Sequence, residues 1–208
     1  PLGSTRLELA LVLDSTGSMA SMGKMDALKT AANQLIDTLV ANRQVGSEIA
    51  VGVVPFATQV RVSTSYRFEP WITLRSFQPI PAENTNIFTW DGCVMDRDQP
   101  LNRSRATPNI SRDTEKFPAQ NCAFPNLREI LPLTTDTAQA KARINALSPD
   151  GNTNTTIGMA WGLNILNPAA PLGFGAAPAS RKPIRTMVFL TDGLNTQDRF
   201  GQTPTQMD

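Results

Sequence analysis

A chain of 208 residues with 40% hydrophobic content has enough apolar side chains to bury a real core, and its length demands no more than one domain with an excursion. Nineteen basic and eighteen acidic residues are interspersed to a net charge of +1, which leaves no basic stripe for nucleic acid or an anionic membrane surface. Histidine is absent from the sequence, so Ser/His and Cys/His nucleophilic pairs, imidazole zinc sites and a histidine general base are excluded within the chain.

No apolar run approaches the length that spans a bilayer. Residues 1–4 (Pro1, Leu2, Gly3, Ser4) read as the remnant of a cleaved purification tag and 5–208 as the domain. An apolar strand is predicted over 7–13. The helix after it is marked by Met25, Leu28, Ala32, Leu35, Ile36 and Leu39 at three- and four-residue steps, with Lys24, Asp26, Lys29 and Asp37 on the other faces. Residues 49–54 are near-continuously apolar, the mark of a strand covered on both sides, and Pro55 is expected to end it. Strand, helix and strand make one βαβ unit with a right-handed crossover.

Val60, Arg61 and Val62 alternate and predict a short edge strand antiparallel to its predecessor. Across 63–131 the chain is rich in Pro, Asn, Arg and aromatic residues without sustained periodicity. Such a stretch is uncommon in a compact domain and points to a functional or cross-linked insertion. Its Trp71, Phe77, Phe88, Trp90, Phe117 and Phe124 are expected to form a satellite core rather than a recognition surface, because a long insertion must bury something of its own. Helical patterning returns over 135–147, where Ala140, Ile144 and Leu147 share a face, and over 156–166, where Gly158 and Gly162 permit close packing on a sheet. Residues 184–191 form a further buried strand, and 195–208 are polar.

Asp14, Thr16 and Ser18 sit directly after the first strand, in a D-x-T-x-S spacing. A carboxylate ending a buried strand is costly unless something pairs with it. A tight loop can wrap positions i, i+2 and i+4 around one point with the hard oxygen ligands that Mg2+ or Mn2+ prefers. Two other segments would complete such a site. The loop 151–156 offers hydroxyls before a helix, and Asp192 follows the strand ending at Thr191. Singly, Asp14, Ser15 or Ser18 would also serve as a helix N-cap.

Together these segments resemble the von Willebrand factor type A domain, whose metal-ion-dependent adhesion site uses D-x-S/T-x-S, a distant Thr and a distant Asp in that order. The resemblance implies an α/β fold with a mainly parallel, Rossmann-like sheet flanked by helices, in strand order 3-2-1-4-5-6. It implies Asp14, Thr16, Ser18, Thr153 and Asp192 as ligands of a divalent metal ion, Mg2+ first, with Mn2+ or Ca2+ as alternatives. Thr153 matches the G-x-T spacing, while Thr155 and Thr156 are open either to cap the next helix or to take its place. Two further sheet strands would normally follow Thr191, so the sheet is expected to end early, leaving an exposed apolar edge, as from C-terminal truncation, disorder or proteolysis of a longer natural domain.

Trp90, Asp91, Gly92, Cys93, Val94, Met95, Asp96 and Arg97, with the later Cys122 and the Trp161-Gly162 helix, resemble bacterial tight-adherence (Tad) pilus-assembly proteins of the TadG type. That resemblance implies a periplasmic or extracellular domain, membrane-anchored in the full-length protein. Two cysteines in a loop-rich segment suggest a Cys93–Cys122 disulfide, which suits an oxidising compartment.

The expected function is a metal-dependent adhesion or protein-binding module in which a partner's acidic residue completes the metal shell. The alternative is a scaffold of the pilus machinery whose metal orders the loops and whose insertion does the binding. Catalysis is not expected. Aspartyl-phosphate phosphatases look like D-x-D-x-T/V, whereas position 16 is Thr, and no G-x-x-x-x-G-K-S/T loop is present.

Overall fold

Alternate side chains of the first strand, β1 (Arg6–Asp14), point to opposite faces of a sheet, and both faces are covered. The computed structural model describes residues 5–74, 86–104, 106–169, 171, 183–193 and 195–198. Pro1, Leu2, Gly3, Ser4, Phe77 and the tail beyond 198 lie outside them.

β1 pairs in parallel with β2 (Glu48–Phe56) and, on its other side, with β8 (Pro183–Leu190). Between these come β3 (Val60–Arg61), β4 (Ile72–Thr73), β5 (Cys93–Val94), β6 (Phe117–Pro118) and β7 (Leu131–Thr134). The main sheet has the order β7-β2-β1-β8, so its members, taken in chain order, stand 3-2-1-4. β8 has β1 as its one partner among the described residues, and it is not the buried strand expected from its apolar sequence: none of its residues is buried and Ile184 is 59% exposed, because its other edge is unpaired among those residues.

On one face Leu9, Leu11, Leu13, Val51 and Val53 pack against Met25, Leu28, Ala32 and Ile36 of α1 (Lys24–Ala41) and against Ala140 and Ile144 of α2 (Thr137–Asn145). On the other, Ala10, Val12, Val54 and Phe56 meet Ile157, Trp161 and Ile165 of α3 (Thr155–Ile165). The two helical glycines make that approach possible. A Cβ on Gly158 would lie 2.7 Å from the Phe56 ring, and one on Gly162 would lie 2.5 Å from Val12 Cγ2.

Three details depart from the sequence reading. Pro55 does not end β2: it pairs with Leu13 and the strand runs on to Phe56, since a proline near a strand end forfeits little pairing. The segment at 60–61 pairs antiparallel with β5 rather than with β2, whose two edges are already taken by β1 and β7. β7 has no counterpart in the sequence reading, lying between the irregular stretch that ends at 131 and the helix expected from 135. It is an edge strand antiparallel to β2, and this position tolerates its Pro132.

Among the described residues, the tryptophans of the 63–131 segment form no separate core. Trp71, Trp90 and Phe117 join the α3-side core, with the Phe117 and Trp161 rings 4.8 Å apart and those of Trp71 and Trp161 6.1 Å apart. Phe88, by contrast, is 71% exposed. Cys93 and Cys122 are joined in a disulfide spanning 29 residues of sequence, beside Ala57, Leu127 and the partly buried Phe124. Among the described residues no helix is long and apolar enough to cross a membrane.

Candidate metal centre

Parallel neighbours end at the same edge of a sheet, so β1 and β8 deliver Asp14 and Asp192 to one crevice at their carboxyl ends. The turn after β1 is locked by Asp14 itself: its Oδ1 accepts the Thr16 amide at 2.9 Å and the Thr16 hydroxyl at 2.6 Å. A short 3-10 turn over Gly17–Ala20 then carries Ser18. The Ser18 hydroxyl lies 3.1 Å from that of Thr16 and donates to Asp192 Oδ1 at 2.9 Å. Asp14, Thr16, Ser18 and Asp192 are thus brought together in one chain of oxygens.

The proton count in that chain is informative. With both acids ionised, three short oxygen–oxygen contacts share the two hydroxyl protons of Thr16 and Ser18, so one contact has no hydrogen in it. Hydroxyls that donate outward to carboxylates turn their lone pairs toward each other. Oxygens so arranged are the donor set that a hard cation satisfies.

Asp14 is fully buried and Thr16 is 1% exposed, whereas Ser18 and the Asp192 backbone face solvent, so the cluster has a dry floor and an open rim. The second oxygen of Asp14 accepts the Thr191 hydroxyl at 2.6 Å. Among the described residues no lysine or arginine pairs with Asp14. Asp192 differs: Lys24 Nζ lies 2.7 Å from its Oδ2. The Lys24 ammonium, with help from the Ser18 hydroxyl and against the cost of partial burial, holds the Asp192 carboxyl below the usual carboxylate range.

Thr153 stands on the adjoining loop. That loop is tied to the first by the Asp150 amide on Ser15 O at 2.7 Å and the Gly17 amide on Gly151 O at 2.8 Å. The Thr153 backbone is clamped from the third loop by the Thr196 hydroxyl, which its amide reaches at 2.8 Å, and its carbonyl accepts the Thr196 and Gln197 amides. No hydrogen bond joins the Thr153 hydroxyl to the other four residues. Thr155 gives both its amide and its hydroxyl to Asn195 Oδ1, while Thr156 is capped through its amide by Asn154. The three loops therefore form one hydrogen-bonded unit.

Sequence reasoning missed Thr191, Lys24 and Asn195. Thr191 had a usable signal, as a hydroxyl at the strand end immediately before Asp192. Lys24 had none, because 168 residues separate it from its partner.

This architecture is that of a von Willebrand A-type domain. A solved structure with the same fold is the vWF domain of the type V pili tip protein Mfa5 from Porphyromonas gingivalis, with a TM-score of 0.50 and 11% sequence identity over 95% of this chain. The present chain covers 41% of that one. No protein-family model matches the sequence, and none of the curated proteins searched matches it.

Proposed function

We propose that this chain is a metal-ion-dependent adhesion or protein-binding module of a pilus or cell-envelope assembly system. Asp14, Thr16, Ser18, Thr153 and Asp192 would hold the divalent ion, Mg2+ first and Mn2+ or Ca2+ as alternatives. The observation that carries this reading is Asp14, a fully buried carboxylate surrounded by hydroxyls and an amide, with no lysine or arginine paired to it among the described residues. Thr155 is committed to Asn195, which leaves Thr153 as the threonine of choice. The open rim gives an Asp or Glu of a partner protein access to the remaining position.

The narrower setting is a Tad-type system of the TadG kind, with the domain periplasmic or extracellular and anchored to the membrane by a segment elsewhere in the protein. The Cys93–Cys122 bridge supports an oxidising compartment, and the Mfa5 likeness supports a pilus context. Binding rather than catalysis is the activity proposed.

The test is calorimetric titration of Mg2+ and Mn2+ into chelator-stripped protein, followed by capture from envelope extract with and without chelator. Saturable binding that Asp14→Ala removes supports the site, and wild-type affinity in that variant rejects it. The scaffold alternative draws on a different observation: Phe68 and Phe88 are 72% and 71% exposed and meet edge to face at 6.3 Å on the insertion side. Capture that ignores chelator and is lost in Phe68→Ser with Phe88→Ser would favour it.

A further inference from the structure

Lys24 belongs to no part of the D-x-T-x-S pattern, yet its ammonium sits on the same carboxylate that the metal reading requires. Three features show that its placement is not an incidental surface pairing. Lys24 opens α1, where the positive end of the helix dipole disfavours a cation. The turn that brings it there holds Met22 and Gly23 in succession at φ 51° and 67°, and for Met22 the left-handed region is a strained choice. The Lys24 side chain is 31% exposed and that of Asp192 13%, so the ion pair lies at the mouth of the cluster, where such pairs contribute little to stability.

We propose that Lys24 is a built-in competitor for Asp192 that weakens divalent-ion binding and biases the loaded site toward an acidic ligand. This rests on the metal-site reading above. Two carboxylates and a divalent ion sum to zero, and Lys24 raises the total to +1, so an incoming carboxylate meets a net positive rim. The same charge repels the divalent ion itself. A metal close enough to share Asp192 stands within several ångströms of the ammonium, and removing a unit charge at that range in a solvent-exposed mouth tightens a divalent ion by about tenfold.

The experiment compares Mn2+ titrations of the chelator-stripped wild type, Lys24→Gln, Lys24→Arg and Asp14→Ala at one ionic strength, with melting curves to confirm folding. Lys24→Gln is expected to bind Mn2+ about tenfold more tightly, Lys24→Arg within about twofold of wild type, and Asp14→Ala not at all. Binding seen in Lys24→Gln but too weak to detect in the wild type also supports the competition. Unchanged or weaker affinity in a folded Lys24→Gln overturns the role of Lys24 while leaving the metal site standing. No binding in either protein overturns both. As a second readout, acetate added to the Mn2+-loaded proteins is expected to bind the wild type more tightly than Lys24→Gln, and equal binding overturns the acid bias.

Discussion

Glu8 and Asp14 lie on the same strand and are equally buried, yet the protein treats them in opposite ways. Glu8, near the start of β1, is held between Arg6 Nε and Arg185 Nε, each 2.9 Å away, and Arg6 reaches on to Glu48. Asp14, at the end of β1, has hydroxyls and an amide as its partners among the described residues. A buried charge needs compensation wherever it is. Around Glu8 the chain supplies the compensating cations itself; around Asp14 the described residues supply oxygens and an amide, with Lys24 engaged on Asp192 instead, and that is where a cation from solution is expected.

The largest effect should come from removing the internal cations. Arg6→Met with Arg185→Met strands Glu8 in the core and is expected to lower unfolding free energy by about 3 to 5 kcal/mol, measured by urea denaturation. Asp14→Asn in chelator-treated protein is the counterpart: it relieves an uncompensated charge and should leave the midpoint unchanged or raised. A comparable loss in both would end the contrast between the two acids.

Reducing the Cys93–Cys122 bridge comes next, at about 3 to 4 kcal/mol from loop-closure entropy. The bridge packs beside Ala57, whose carbonyl accepts the Asn154 amide at 3.1 Å. Reduction should therefore also weaken metal binding through the Thr153 loop while leaving the Glu8 end intact. Thiol-reductant melts with and without Mn2+ separate the two effects.

Metal itself should stabilise the native state by about 2.7 kcal/mol at roughly 100 times its dissociation constant. For a domain of this size the expected shift in Tm is about 5 to 10 °C. The shift should vanish in Asp14→Ala and survive in Glu8→Gln, which tests whether the two ends are independent.

The smallest effect is acidic. In chelator-treated protein the Asp192 carboxyl sits below its ordinary range because of Lys24, so the native state binds fewer protons than the unfolded state. That contribution is present above the unfolded carboxylate range and is lost as pH falls through the lower folded value. Denaturation midpoints in the acid limb should fall less steeply for Lys24→Gln, and parallel profiles would remove this linkage.

The sequence alone settled the α/β class, the βαβ start, the helix faces and the cluster of acid and hydroxyls after β1, because periodicity and a five-residue motif are local properties. Gly158 and Gly162 were legible for the same reason: two small residues one helical turn apart announce a close approach. The Cys93–Cys122 pairing was legible because the chain has only two cysteines. Tertiary structure decided which partners meet across long separations. The Lys24 contact with Asp192, the arginine bracket around Glu8 and the burial of Trp71 against Trp161 each join residues far apart in the chain, and no local pattern encodes them. It also decided that 60–61 leaves the main sheet and that 131–134 joins it, since an edge is available to a strand only if no other segment has taken it.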